Sequence, residues 1–292
     1  MVFNRLSKGV KKEKISIFLG APEAEAEALP SSRMPLSQVY KDYSNLMESL
    51  AYEKFIVVGR KGSGKSAFAE HICLVSENEP NLFAKFIRQG ETNLEQVVQV
   101  GLEVGHEIEK ENLYQWLILT NILKLFSDNQ AIQNNKEYDL LKQFLSKNSG
   151  YIDIRESEIK ELVKKQGFDV SVNYLKRFFT SKMNKSLEIR QEKSPFYKLI
   201  PHLKEVILKV LKSHDESRNK NSYVLFFDDL DIGFNAEKES TVNSLITLLR
   251  VSKDINNEFF SKNGLDSNRL LKFANLPSVS APFFEAPGGL EA

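Results

Sequence analysis

Two rhythms of apolar and polar positions run through this chain. Short unbroken apolar runs occur at Phe55-Ile56-Val57-Val58 and at Tyr223-Val224-Leu225-Phe226-Phe227, and residues 82–88 are a plausible further strand. Runs this short, rich in β-branched and aromatic residues, predict strands buried on both faces, as in a parallel sheet. Elsewhere apolar residues recur every three or four positions and predict helices. The first covers 35–50, with Val39, Tyr43, Leu46, Met47 and Leu50 on one side, and the next 65–76. Residues 94–125, 137–145, 155–168 and 201–212 follow the same rule. So do residues 237–260, through Val242, Leu245, Leu248, Leu249 and Ile255. Residues 128–135 and 148–151 read as connections.

These elements predict an α/β protein organised in sequence blocks. Residues 1–35 are a lead-in in which Ala and Glu alternate before Pro30-Ser31-Ser32 ends any helix. Residues 36–90 and 221–262 are two halves of one sheet-bearing domain, separated by a helical insertion at 91–220. Residues 263–292 form an atypical tail, with prolines at 277, 282 and 287 and the pair Gly288-Gly289. On this reading the C-terminal part of the sheet is incomplete, since the tail supplies no further strand.

Composition narrows the classes without choosing one. The chain has 292 residues, 41% of them apolar and 27% charged, which suits a folded domain. With 40 Lys and Arg against 39 Asp and Glu, overall charge gives no support to a nucleic-acid partner. Cys73 stands alone, so no intrachain disulfide forms. Together with a start that makes a poor secretion signal, this leads us to expect a cytoplasmic protein. The longest apolar-rich run, 113–126, is interrupted by Gln115, Thr120, Asn121 and Lys124, so no membrane association is expected. His71, His106, His202 and His214 are scattered without metal-ligand spacing.

The chemistry lies between the first strand and its helix. Gly59-Arg60-Lys61-Gly62-Ser63-Gly64-Lys65-Ser66 matches G-x-x-x-x-G-K-[ST], the phosphate-binding loop known as a P-loop or Walker A motif. Triphosphate oxygens need several N–H donors converging on one spot, and glycines let the backbone approach without side chains intervening. The N–H groups and dipole at the start of the following helix add to this. Gly59, Gly62, Ser63, Gly64, Lys65, Ser66 and Ala67 are therefore the candidate ATP-binding residues. Lys65 serves the β- and γ-phosphates, and the Ser66 hydroxyl a Mg²⁺ ion. Arg60 and Lys61 either touch phosphate or face solvent.

A second element is the strand ending in Asp228-Asp229. Ligands of open α/β sheets sit beyond the carboxyl ends of strands. Asp228 is the expected Walker B residue, holding Mg²⁺ directly or through water, and Asp229 the catalytic group for an attacking water. Asp231 reads equally as a cap or a surface charge. No Asn-Lys-x-Asp or Leu-Ser-Gly-Gly sequence occurs, which argues against a GTPase or a transporter-type ATPase. Paired acids instead suit ATP hydrolysis by a P-loop fold of the additional-catalytic-acid class.

Residues 55–68 (FIVVGRKGSGKSAF), the string Phe227-Asp228-Asp229-Leu230-Asp231 and the lead-in Gly20-Ala21-Pro22-Glu23-Ala24-Glu25 resemble uncharacterised bacterial P-loop ATPases. Those are related to the KAP and STAND NTPases, several of which are switches in bacterial antiviral defence. The likeness spans roughly 15–262. It implies phosphate, magnesium and water-activating roles for Lys65, Ser66, Asp228 and Asp229.

The expected function is thus an ATPase switch or motor, with ATP and Mg²⁺ as cofactors, whose hydrolysis moves the helical insertion against an unknown protein partner or another copy. Turnover by this chain alone is expected to be weak or absent, because no sensor strand or arginine finger is recognisable; Arg250 and Arg269 are the nearest candidates. One alternative is a non-hydrolysing nucleotide-binding module, from a truncated or frameshifted chain. Another is nucleic-acid handling through the basic stretch 171–220, where Lys176-Arg177-Phe178-Phe179-Thr180-Ser181-Lys182 mixes cationic and aromatic residues. The same run reads as an amphipathic helix, and Trp116 with its neighbours as helical core.

Overall fold

In the computed structural model, described residues are 24–43, 45–46, 56–57, 59, 62–87, 95–103, 108–129, 136–152, 169–172, 193–216, 221–228 and 237–261, with positions 21, 105 and 163. They form a mixed α/β structure of many helices around a small parallel sheet. Strand β1 (Leu82–Ile87) pairs with β4 (Ser222–Phe227), in register from Leu82 with Ser222 to Ile87 with Phe227. Both strands were expected from their apolar runs. The helices, in chain order, are α1 (Ala24–Ala28), α2 (Leu36–Val39), α3 (Lys65–Ser76), α4 (Glu95–Glu103), α5 (Lys110–Asp128), α6 (Lys136–Lys147), α7 (Ser149–Ile152), α8 (Phe196–Glu216) and α9 (Glu239–Ser261).

Side chains of a strand alternate between faces, and that alternation sorts the core into two layers. Val224 and Phe226, with Leu82, Ala84 and Phe86, pack against Phe68, Ala69 and Ile72 of α3. Tyr223, Leu225 and Phe227, with Phe83 and Ile87, join a larger core supplied by α5, α6, α8 and α9. Helix α5 lies at its centre: Leu113, Tyr114, residues 116–123, Leu125 and Phe126 are all buried. A helix buried nearly all round must satisfy its polar groups internally. Thr120 Oγ1 donates to the Trp116 carbonyl at 2.7 Å, and Asn121 Nδ2 to the Leu117 carbonyl at 2.8 Å. Asn121 Oδ1 accepts from Lys85 Nζ of β1 at 2.8 Å, tying helix to sheet.

Four expectations change. The helix expected over 35–50 stops at Tyr40, whose backbone is extended (ψ 133°). Asp42 Oδ1 accepts the Leu46 N–H at 2.9 Å and Asn45 takes φ 50°, so a side-chain bond replaces the helical one. The helix expected over 94–125 is two helices, α4 and α5. Gly105 adopts φ 78° just beyond α4 and donates its N–H to the Leu102 carbonyl at 3.1 Å, a left-handed helix ending that glycine permits. Of the strand expected at 54–58, Ile56 and Val57 are described and lie in no strand, although Val57 packs against the α3 layer. The stretch expected to be mostly helical also contains β2 (Asp169–Ser171), antiparallel to β3 (Lys193–Pro195). Asn148 clamps β2 by accepting the Ser171 N–H at 2.8 Å and donating to its carbonyl at 3.0 Å. Most of the helix expected at 155–168, and the tail, lie outside the described residues.

Among the described residues, no helix is long and apolar enough to cross a membrane.

Candidate functional site

The glycine loop and helix α3 form one local unit. Gly62 (φ 80°) and Gly64 (φ 84°) are left-handed, a conformation that costs most other residues about 1–2 kcal/mol. Gly64 is the residue from which α3 starts, and it offers no side chain to the helix N–H groups. Phe68 N–H donates to the Gly64 carbonyl at 2.9 Å, which commits the chain to the helix. The N–H groups of Lys65, Ser66 and Ala67 stand at the positive end of the dipole of a 12-residue helix.

Lys65 curls back on the loop, Nζ donating to the Gly59 carbonyl at 2.9 Å. Gly59 sits tightly beneath Ser63, since a Cβ built on it would lie 2.5 Å from Ser63 Oγ and 3.3 Å from Ser63 Cβ. A side chain at position 59 therefore displaces Ser63. Gly62, Ser63 and Gly64 are exposed, while Lys65, Ser66 and Ala67 are half-buried.

Asp228 extends the parallel ladder by one residue, its N–H donating to the Ile87 carbonyl at 3.1 Å. It is buried at 5% exposure, and its Oδ2 has no hydrogen-bond partner among the described residues. Strand alternation puts it on the side of Val224 and Phe226, the side covered by α3. The short connection from Ser76 to Leu82 forces α3 to run antiparallel to β1. Twelve helical residues span about 18 Å and six strand residues about 20 Å, so the two are matched in length. The start of α3 therefore lies at the carboxyl ends of β1 and β4. Phe68, one turn into α3, meets Phe226, two residues before Asp228, with centroids 6.0 Å apart in an edge-to-face contact. Ser66 and Asp228 thus share one end and one side of the sheet.

Asp229, Asp231, Arg60, Lys61, Arg269 and residues 176–182 lie outside the described residues. Arg250 pairs with Glu111 of α5 at 2.7 Å, an exposed bridge between α9 and α5. Trp116 is core, as expected. Among the described residues no group of three or more His, Cys, Asp or Glu is arranged to hold a metal.

One part of this neighbourhood escaped sequence reasoning. The Tyr40 ring stacks on His71 of α3 (4.5 Å, 27°) and lies 6.5 Å from Phe68. Burial, then the nearby Asp42 carboxylate, push the Tyr40 phenol up to about 12. Burial lowers the pKa of His71, with Asp42 opposing. Tyr43 counted as an inward helical position in the sequence pattern and is instead 86% exposed. A surface groove of about 490 Å³ also opens between α5, α8 and α9, lined by Gln115, Tyr197 and the Lys204–Glu258 ion pair (2.8 Å).

Comparison with protein-family models, with curated proteins and with solved structures finds no match to this chain.

Proposed function

We propose that this protein is a P-loop NTPase that binds Mg-ATP over residues 59–66 and acts as a nucleotide-driven switch. The observation that carries the reading is the meeting of two half-sites at one end of the sheet. One is a glycine loop opening into an uncapped helix start. The other is a buried carboxyl oxygen with no hydrogen-bond partner among the described residues. A buried carboxyl oxygen left without a hydrogen bond is costly, and a cation or its water would relieve that cost. Oxygen donors from a serine hydroxyl and a carboxylate are the ligand types magnesium prefers.

In this reading backbone N–H groups of 62–67 hold the phosphate oxygens, and Lys65 exchanges its Gly59 carbonyl for them. Ser66 and Asp228 would hold the metal, which would supply positive charge against the phosphate oxygens. Asp229, the next residue in the sequence, would orient the water and take its proton. The additional-catalytic-acid class, and kinship with the KAP and STAND ATPases, belong to the same proposal. So do a moving 91–220 region, a partner or second copy that it contacts, and a cytoplasmic setting.

The acids supply the test. Asp228→Asn is expected to reduce the magnesium dependence of ATP binding in calorimetric titrations. Asp229→Asn is expected to leave binding intact and remove phosphate release. Binding that responds to magnesium equally in wild type and Asp228→Asn would refute the metal assignment. A second expectation concerns loop shape. Gly59→Ala pushes Ser63 out of place and is expected to weaken Mg-ATP binding about tenfold, or about 1.4 kcal/mol. Adding Ser63→Gly removes the obstruction and is expected to restore most of the affinity. If the double variant binds no better than Gly59→Ala, the obstruction is not the cause.

A further inference from the structure

Helix α9 carries two apolar stripes, and the core takes only one of them. Leu248, Val251, Ile255 and Phe259 are buried in the core that α9 shares with α5. The start of α5 lies along one flank of that stripe. Lys110 Nζ donates to Ser244 Oγ at 3.1 Å, and Glu111 pairs with Arg250 at 2.7 Å. Val242, Leu245, Ile246 and Leu249 form the second stripe, turned roughly 120° from the first toward the other flank. Val242, Leu245 and Leu249 are only half-buried, and Ile246 is 54% exposed. A single exposed apolar residue is ordinary, but four at i, i+3, i+4 and i+7 make the seam that one helix offers another. Charges bracket it. Glu239 stands seven residues before Ile246 and Lys253 seven after, so the three fall nearly on one line along the helix. Both charged side chains are exposed, and neither forms an ion pair among the described residues.

We propose that this stripe is the interface of a homodimer, in which α9 packs antiparallel on α9 of a second copy with Ile246 at the two-fold axis. The order of the charges selects that partner and that direction. In an antiparallel pair centred on Ile246, each residue faces the one equally far on the other side of it. Glu239 of each copy therefore meets Lys253 of the other, about 10.5 Å from the axis at both ends. Val242, about 6 Å before Ile246, lies level with Leu249 of the other copy, about 4.5 Å after it. A parallel pair would instead set Glu239 against Glu239 and Lys253 against Lys253. Contacts of this two-fold kind close on themselves and stop at two copies. The seam is only a few turns long, at the small end of protein interfaces, so dimers form and dissociate with concentration. None of this depends on nucleotide binding at residues 59–66.

The test is sedimentation of the full chain without nucleotide over a range of concentrations. The wild type is expected to pass from monomer to dimer, and Ile246→Asp to stay monomeric. Glu239→Lys and Lys253→Glu each set like charges opposite one another. Each is expected to weaken the dimer about tenfold, the scale of two exposed ion pairs lost. Combining the two exchanges restores complementarity, and the double variant is expected to regain most of the wild-type affinity. All three side chains are exposed, so the variants should fold, which circular dichroism checks. A wild type that remains monomeric throughout overturns the proposal and leaves the stripe to a partner of another kind. A dimer indifferent to Ile246→Asp overturns it as well, since the contact then lies elsewhere. If the double variant is no tighter than either single exchange, Glu239 does not face Lys253, and the antiparallel arrangement is wrong.

Discussion

Lys65→Ala is expected to abolish the rise in melting temperature that Mg-ATP produces in the wild type. A ligand that binds only the folded state at 100 times its dissociation constant stabilises by about 2.7 kcal/mol. For a chain of this size that corresponds to roughly 5–10 °C. Without ligand, Lys65 makes a hydrogen bond to the Gly59 carbonyl, so its loss should cost only about 0.5–1.5 kcal/mol. The substitution therefore separates binding from folding. The ligand-free variant melts near the wild type, and only the response to nucleotide disappears. A thermal-shift series across Mg-ATP concentrations measures both. Equal shifts in wild type and Lys65→Ala would show that any nucleotide binds elsewhere.

The largest stability effect is expected at Trp116. Its ring is fully buried and meets Phe196 edge-to-face at 5.9 Å, while its Nε1–H donates to the Tyr151 carbonyl at 2.8 Å. One side chain thus joins α5, α7 and α8. Trp116→Ala leaves a large cavity and a buried carbonyl without its donor, at a cost of about 3–5 kcal/mol for the cavity and about 1–3 for the orphaned group. Native domains hold only about 5–15 kcal/mol, so the variant should be largely unfolded at moderate temperature. Trp116→Phe keeps much of the packing and loses the hydrogen bond, and is expected to fall between the two. Denaturant melts of the three proteins give the values. A loss below about 1.5 kcal/mol in Trp116→Ala would mean that this junction does not hold the helical layer together.

How far the sequence foretold this structure depended on whether a feature was local. Strand β4 was legible because burial on both faces demands an unbroken apolar run, and β1 because its run is apolar apart from Lys85. The glycine loop and α3 were legible because adjacent residues make them. Helices α5, α6, α8 and α9 followed from their spacing. The breaks were not legible. Asp42 captures the Leu46 N–H within an otherwise regular apolar pattern, and Gly105 interrupts what reads as one long helix. Three-residue strands such as β2 carry too few side chains to show a period, and β2 is held by Asn148 from a distant segment. The burial of Asp228 and the stacking of Tyr40 on His71 were hidden for the same reason. Each depends on contacts between segments far apart in the chain.

The pairing of residues 82–87 with 222–227 has a consequence for how this chain tolerates change. Closing a loop that long costs entropy that grows only with the logarithm of its length, and doubling the loop adds about 0.6 kcal/mol. Insertions and deletions between the two strands are therefore nearly neutral where they fall on the surface. They become ruinous where they touch the helices of the core, above all α5, whose Asn121 and apolar face bear directly on the sheet. The span between the strands can thus change in length and shape on its surface, while Ser66 and Asp228 stay at the same end of the sheet.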